Sequence, residues 1–171
     1  MVRVLCPYDP TWANAFETEA FEIRKRLGDA ARAVHHIGST SVPGLIAKPV
    51  IDILVETGSL GAIDSASDRL MGAGYEVRGE YGIAGRRYFS RRGNPGFHVH
   101  AYEAGTESVI RHLAFRDYLR ANPDAAQAYA ALKLSLADAS GNLPADYPDR
   151  KAAFVVQTER AALLFAAEKR R

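Results

Sequence analysis

Histidine, serine, threonine and aspartate gather in one short stretch, His36-Ile37-Gly38-Ser39-Thr40-Ser41 and then Asp52. Gly38 lets the chain turn where a side chain would clash. The three residues after it offer hydroxyls and backbone N–H groups in a confined space, and such turns make concavities suited to phosphate oxygens. Gly-Ser alone is an ordinary turn dipeptide; Asp52 is what gives it weight. It lies inside Val50-Ile51-Asp52-Ile53-Leu54-Val55, where strand period two puts Asp52, Leu54 and Glu56 on one face. A carboxylate in such a run is costly to bury unless it is paired or binds a cation. Two readings stay open. One is a ligand for Mg²⁺, which bridges carboxylates and substrate phosphates. The other is a salt bridge to a core arginine or lysine, with Lys48 close in sequence.

Further along, His98 and His100 are two apart, so on a strand they face the same side. With Asp52 on a neighbouring strand they would complete a site of two imidazoles and one carboxylate, a set that suits a transition metal better than Mg²⁺. The competing reading is a pair of solvent-facing or hydrogen-bonded histidines. His36 has its own alternative, fixing the turn by a hydrogen bond. Basic residues form a third set. Arg86 and Arg87 follow Gly85, while His112, Arg116 and Arg120 recur every four residues along one helical face. Arg111, Lys133 and Lys151 complete it. Guanidinium forks match phosphate or carboxylate, so an anionic ligand would account for them. Ion pairing is the plainer account, with Asp117, Asp138 and Asp149 available as partners.

These side chains need elements to position them. Asp9 as N-cap and Pro10 in the first turn open a helix, and Trp12, Phe16, Ala20, Ile23 and Leu27 mark its buried face up to Gly28. Strands are expected at residues 31–37 and 49–56, adjacent, with Gly38-Ser39 and Asp52 at one end of the sheet. Ile63, Ala66, Leu70 and Met71 give a second helical face, ended by Gly72 and Gly74. Strands near 75–78, 86–91 and 97–102 follow, separated by glycine-rich turns. Helices then cover about 106–120, 123–139 with Asn122 as cap, and 149–169. Strands concentrated early and helices gathered late argue α+β architecture, a mixed β-sheet with flanking helices and a C-terminal helical part, in one domain over 1–171.

Composition narrows the function classes. The chain has 171 residues, 47% hydrophobic and 25% charged, the make-up of an ordinary globular domain. A net charge of +2 gives no clear nucleic-acid signal. Cys6 alone excludes an intrachain disulfide framework and a CxxC metal knot. No apolar run is long enough to span a bilayer, and the first residues lack the apolar core of a signal peptide, so no membrane association and a cytoplasmic location are expected. Lys169-Arg170-Arg171 reads as a basic helix end, favourable against the macrodipole.

His36-Ile37-Gly38-Ser39-Thr40-Ser41-Val42-Pro43-Gly44, followed by Ala47-Lys48-Pro49-Val50-Ile51-Asp52-Ile53, resembles the signature of GrpB-like proteins. The resemblance continues through Tyr8-Asp9-Pro10 with Trp12, Gly85-Arg86-Arg87-Tyr88-Phe89, His98-Val99-His100 and the stretch from Arg111 to Arg120, ending near Tyr147, Lys151 and Phe154. It covers nearly the whole chain and implies a nucleotidyltransferase-like α+β fold. In that wider superfamily Gly-Ser holds a triphosphate, and an Asp-x-Asp strand with a later carboxylate holds two metal ions. Gly38-Ser39 and Asp52 match this pattern. The second acidic position is Leu54, and the strand that would supply the third carboxylate offers His98 and His100. Two-metal phosphoryl chemistry depends on carboxylates clamping both ions, so the departure bears directly on catalysis.

The expectation is a protein that binds a nucleotide or other phosphorylated small molecule. Ligand contacts fall to His36, Gly38, Ser39, Thr40, Lys48, Arg116, Lys133 and Lys151. Asp52 and Arg87 are the catalytic candidates, Arg87 neutralising developing charge, and Asp52, His98 and His100 would hold a divalent cation, Mg²⁺ or a transition metal. The alternative is a non-catalytic ligand-binding or partner-binding domain that keeps the pocket without the two-metal site.

Overall fold

The structure is a computed structural model that describes residues 4–169. Helix α1 (Thr11–Leu27) leads into strand β1 (Ala33–Ile37), the tight turn at Ser39–Ser41 and strand β2 (Val50–Thr57). Helix α2 (Leu60–Met71) follows, then β3 (Glu76–Val77), β4 (Arg87–Arg91) and β5 (Gly96–Glu103). The chain closes with α3 (Glu107–Ala121), α4 (Pro123–Leu136), the single turn α5 (Tyr147–Arg150) and α6 (Ala152–Glu168). The five strands form one sheet in the order β1-β2-β5-β4-β3. Only the central β2–β5 pair is parallel; the others are antiparallel. This is the expected α+β arrangement, with β1 and β2 neighbours as expected.

The sheet has two differently used faces. Ile51, Ile53, Val55, Phe89, Val99 and Ala101 point to one side and pack against Trp12, Phe16, Ala20, Ile23 and Leu27 of α1 and Ile63, Ala66 and Leu70 of α2. Each fully buried aliphatic or aromatic side chain of this kind contributes about 1.5–3 kcal/mol. The other face carries Asp52, His98, His100, Tyr88 and Ser90 in adjacent register. It has a smaller apolar patch, where Ile37, Leu54 and Tyr102 meet Val109 and Leu113 of α3. Leu119 of α3, Tyr129 of α4 and Phe154 and Val155 of α6 extend the cover around Val42 and Leu45. The polar face thus lies open at one end of β2 and β5, between the sheet and the C-terminal helices. No described helix is long and apolar enough to cross a membrane.

Several boundaries differ from expectation for local reasons. Asp9 Oδ1 accepts from the Thr11 backbone N–H at 2.8 Å and from its hydroxyl at 2.7 Å, so the capping chemistry holds. Pro10 nevertheless occupies the flanking position rather than the first turn. Asn122 holds the N-cap position of α4 as expected, but its side chain makes no cap bond there; its Nδ2 donates to the Tyr118 carbonyl at 2.8 Å and finishes α3 instead. Helix α4 stops at Leu136, short of 139, because Asp138 Oδ1 collects the N–H groups of Ser140 and Asn142 and shapes a loop. The last helix comes as two pieces that meet at Lys151, where ψ is −7°. Arg170 and Arg171, two of the three residues of the expected basic helix end, lie outside the described residues.

Gly38 is the residue on which the polar end is built. Its φ is +70°, and a Cβ placed there would come within 2.4 Å of Asp52 Oδ2. Gly38→Ala therefore combines an unfavourable backbone with a clash against a carboxylate, and its expected cost is about 2 kcal/mol or more. Gly105 shares the positive φ, at +77°, and faces open space. Gly105→Ala is expected to cost only about 1 kcal/mol. Urea denaturation of the two variants beside wild type checks the difference; equal losses would remove the close approach as the cause.

Candidate functional site

The turn after β1 is held at almost every polar atom. Ser41 Oγ donates to the Gly38 carbonyl at 2.6 Å, and Thr40 Oγ1 donates to the Val50 carbonyl at 3.1 Å. His36 Nε2 lies 3.0 Å from Thr40 Oγ1. Because the single Thr40 hydroxyl proton goes to Val50, His36 is the donor, which puts its proton on Nε2. Burial and the positive charges of Arg120 and Arg116 outweigh the pull of Asp52 and lower the His36 pKa to about 4, so the ring is neutral at ordinary pH. It stacks on Phe16 at 4.7 Å between ring centres. From outside, Arg116 Nη1 donates to the His36 carbonyl at 3.3 Å and Arg120 Nε to the Ser41 carbonyl at 2.8 Å.

Ile37 faces Asp52 across the antiparallel β1–β2 pair, and His98 faces it across the parallel β2–β5 pair. Asp52 Oδ1 lies 3.3 Å from His98 Nδ1 and 3.6 Å from His100 Nε2. Arg86 Nη1 approaches His100 Nδ1 at 3.5 Å. A guanidinium can only donate, so that contact leaves the His100 proton on Nε2, facing the carboxylate. Burial resists ionisation of Asp52, but the hydrogen bonds from His100 and His98 prevail and hold its carboxyl well below the usual range. Its side chain keeps 30% of its surface exposed, so the charge opens into a cleft.

The same-face position two residues on is Leu54, fully buried under α3. One carboxylate and two imidazoles do not fit the pair of hard cations that an acidic triad clamps. Among the described residues no three His, Cys, Asp or Glu side chains form a group able to hold a metal ion. The expected metal ligands are thus brought together, but as a carboxylate with two imidazole partners.

Two recesses meet at Asp52. One, of ≈ 210 Å³, is lined by Ser39, Thr40, Lys48, Asp52, His98, Lys133, Tyr147 and Lys151. The other, of ≈ 250 Å³, runs past Gly38, His100, His112, Phe115, Tyr129 and Val155 and shares Ser39, Asp52 and Lys151. Lys133 is the pivot of the first. It is 1% exposed, its Nζ donates to Ser39 Oγ at 2.7 Å and to the Ile46 carbonyl at 2.8 Å, and it lies 4.2 Å above the Tyr129 ring. Burial, then the charges of Lys151 and Lys48, lower its pKa to about 7 against the opposing pull of Asp52. Lys151 Nζ donates to the Tyr129 hydroxyl at 3.4 Å and lies 5.1 Å over Tyr147, the ring that also carries Lys48 at 5.8 Å. Three ammonium groups therefore border a small recess whose one carboxylate is engaged by histidines.

Of the residues singled out from the sequence, Gly38, Ser39, Thr40, Lys48, Asp52, His98, His100, Lys133 and Lys151 line this cleft. His36 lies behind the turn and supports it. Arg87 does not reach the cleft. Strand parity turns it to the opposite face, where its Nε and Nη2 grip both oxygens of Asp64 at 2.6 and 2.8 Å. Arg116 also misses the cleft: it holds the turn from outside and pairs with Asp117. Arg111 is committed to Glu159. The arginine that does belong to the polar face is Arg86, buried, with its guanidinium 4.9 Å above Tyr88. From sequence, Arg86 and His112 enter only as members of the basic set, and Tyr88, Tyr129 and Tyr147 carry no site role, although the structure places all of them on the polar face or in the cleft. The signal for Arg86 was its parity with Tyr88, opposite the apolar Phe89.

The architecture matches the crystal structure of the Cid1 poly(U) polymerase with Mg 3′-dATP bound, with a TM-score of 0.51 at 13% identity over 71% of this chain and 39% of Cid1. That likeness shows a nucleotidyltransferase-like fold. The crystal structure of the conserved protein GrpB from Enterococcus faecalis is far nearer, with a TM-score of 0.88, 40% identity and coverage of 95% of this chain and 99% of that one. UPF0157 protein YqkA of Bacillus subtilis is 47% identical over 131 residues, which is 76% of this chain and 38% of YqkA. The chain thus spans well under half of that relative's length. The family described as GrpB protein matches residues 3–161, and the chain belongs to the GrpB family.

Proposed function

We propose that the cleft binds a phosphorylated small molecule, of which a nucleotide is the leading class, and that it does so without a two-metal clamp. The observation that carries this reading is the set of Lys48, Lys133 and Lys151 around Ser39, with one of the three ammonium groups almost wholly buried. A buried ammonium beside two others is unfavourable in the empty protein, and an anion is what relieves it. The phosphate end belongs in the lysine recess, beside the Ser39 hydroxyl. The neutral part of the ligand extends past Asp52 along Phe115 and Tyr129. Together the two recesses approach the usual size of small-molecule sites, roughly 300–1,000 Å³. Asp52 with His98 and His100 lies where the two ends of such a ligand join. A binding role, or chemistry that needs no acidic triad, accounts for Leu54, and a cytoplasmic setting suits such a ligand.

Calorimetric titration with nucleoside triphosphates, sugar phosphates and pyrophosphate, with and without Mg²⁺, tests the reading. Saturable binding is expected without Mg²⁺, and Lys151→Ala should weaken it about tenfold, the loss of one charged hydrogen-bond donor. No heat from any member of that panel, in either condition, would sink the proposal.

Asp52→Asn separates metal-free binding from bridging by a cation. If no cation intervenes, removing this negative charge beside the phosphate site should strengthen anion binding several-fold, roughly 1 kcal/mol at an exposed-cleft dielectric. If a cation bridges, the same substitution should weaken binding and abolish any Mg²⁺ dependence.

The lowered Lys133 pKa of about 7 sets a pH dependence. An anion stabilises the protonated amine, so binding above neutrality takes up a proton, and affinity should fall by up to about tenfold per pH unit between pH ~7 and ~9. Stability of the empty protein should move the other way. The unfolded lysine, with a pKa near 10.4, keeps a proton that the folded state has released, so stability rises with pH over that window. Lys133→Met should flatten both profiles in calorimetry and thermal melts; unchanged slopes would assign them to another group.

A further inference from the structure

Strand β1 is an edge of the sheet, and around it a recess of ≈ 300 Å³ opens on the far side of the turn from the lysine recess. Arg24, His35, His36, Arg116 and Arg120 line it, with Glu17 among the other lining residues. Its three guanidinium groups come from two helices and converge because each is tied to a different backbone carbonyl. Arg24 Nη2 donates to Val34 at 3.2 Å, Arg116 Nη1 to His36 at 3.3 Å and Arg120 Nε to Ser41 at 2.8 Å. Each guanidinium has five N–H donors in a rigid fork, so a bond to one carbonyl fixes its position and leaves further donors for a ligand.

The negative groups nearby do not match this charge. Asp117 pairs with Arg116 at 2.7 Å, and Glu56 is engaged by His35 at 2.8 Å. Glu17 is left to face Arg24 and Arg120, which among the described residues have no carboxylate within ion-pair distance. Burial and the charge of Arg116 lower the Arg120 pKa, as Arg120 and Arg116 in turn help to lower that of His36. Burial is the larger cause of both shifts, and the neighbouring guanidinium charges add to it.

We propose that this recess is a second anion site, which takes a phosphate-class oxyanion between Arg24, Arg116 and Arg120. Guanidinium forks match the oxygens of such a group bidentately. The ligand is either free phosphate or the terminal phosphate of a small molecule. Arg116 and Arg120, whose spacing suggested phosphate contact, serve this site and not the cleft. Because they also hold the carbonyls of His36 and Ser41, an anion here would steady the turn that presents Ser39 on its other side.

The test follows the arginine Nε–H signals in ¹H–¹⁵N spectra while inorganic phosphate, and separately glycerol 3-phosphate, is added at constant ionic strength set with sodium chloride. Wild type, Lys151→Gln and Arg24→Gln are compared. Arg24 is exposed, so its replacement leaves the core untouched. Saturable shifts of the Arg24 and Arg120 signals are expected in wild type and Lys151→Gln alike, and Arg24→Gln should weaken them about tenfold. Saturation with both titrants assigns the site to the phosphate group itself; saturation with the ester alone assigns it to a phosphorylated small molecule. Shifts that never saturate, that vanish in Lys151→Gln, or that persist unchanged in Arg24→Gln would overturn the second site. Loss of phosphate affinity in calorimetry of Lys151→Gln, with the saturable Arg24 and Arg120 shifts intact, places that loss in the lysine recess, so the two sites stand or fall separately.

Discussion

A carboxylate occupies the space where the side chain of residue 38 would be. Gly38 at φ +70° lets the turn close over Asp52 with no intervening Cβ, and the rest of the polar end depends on that approach. It brings Ser39 and Thr40 to the mouth of β2, within reach of Lys133 from a helix almost a hundred residues away in sequence. It also explains why the turn is tied down so thoroughly. Ser41, Thr40, Arg116, Arg120 and Lys133 each bind one of its polar atoms or a carbonyl beside it. Hydrogen bonds to charged groups contribute about 1.5–3 kcal/mol each where the partner is desolvated, enough to hold a strained backbone in one conformation.

The electrostatics of the cleft then follow from what surrounds a single carboxylate. Asp52 keeps its charge because His98 and His100 stand beside it on the next strand, in register. Leu54, facing the same way, is used for packing against Val109 and Leu113 instead of for a second charge. An acid at that position would be wholly buried beneath α3. The cations collect on the opposite wall, where Tyr129 and Tyr147 supply ring faces that help to hold Lys133, Lys151 and Lys48 close together. Cation–π contacts of about 0.5–2 kcal/mol lessen the cost of crowding ammonium groups. The wall remains short of negative charge, and the proposed ligand supplies it.

The fold and the central part of the cleft could be read from sequence because they are written in short-range patterns. Period-two alternation places Asp52 and the histidine pair on one sheet face, and the resemblance to GrpB-like proteins implies the fold class. Arg87 was misplaced for a reason equally local. In Arg86-Arg87-Tyr88-Phe89 the two arginines look equivalent, and only the packing of Phe89 against α1 and α2 decides which of them points to the site. Arg116 was misjudged for a different reason: helical spacing shows that 112, 116 and 120 share a face, but not which side of a distant turn that face meets. Lys133 was named, yet nothing local foretells its burial over Tyr129, which arises from the docking of α4 and α6 around Val42 and Leu45. Asn122 stands at the N-cap of α4 as its sequence position suggests, but α3 and α4 are joined so tightly that its amide serves the helix behind it.

The central claim is that phosphate is held between Ser39 and the buried Lys133. A crystal structure of the protein with a non-hydrolysable nucleoside triphosphate, grown without divalent cations, addresses it most directly. The account predicts phosphate oxygens within hydrogen-bond distance of Ser39 Oγ and of the Lys133 and Lys151 ammonium groups, with the nucleoside directed past Asp52 towards Phe115 and Tyr129. Phosphate density elsewhere on the protein, with the lysine recess unchanged at ligand concentrations that saturate binding in solution, would contradict it.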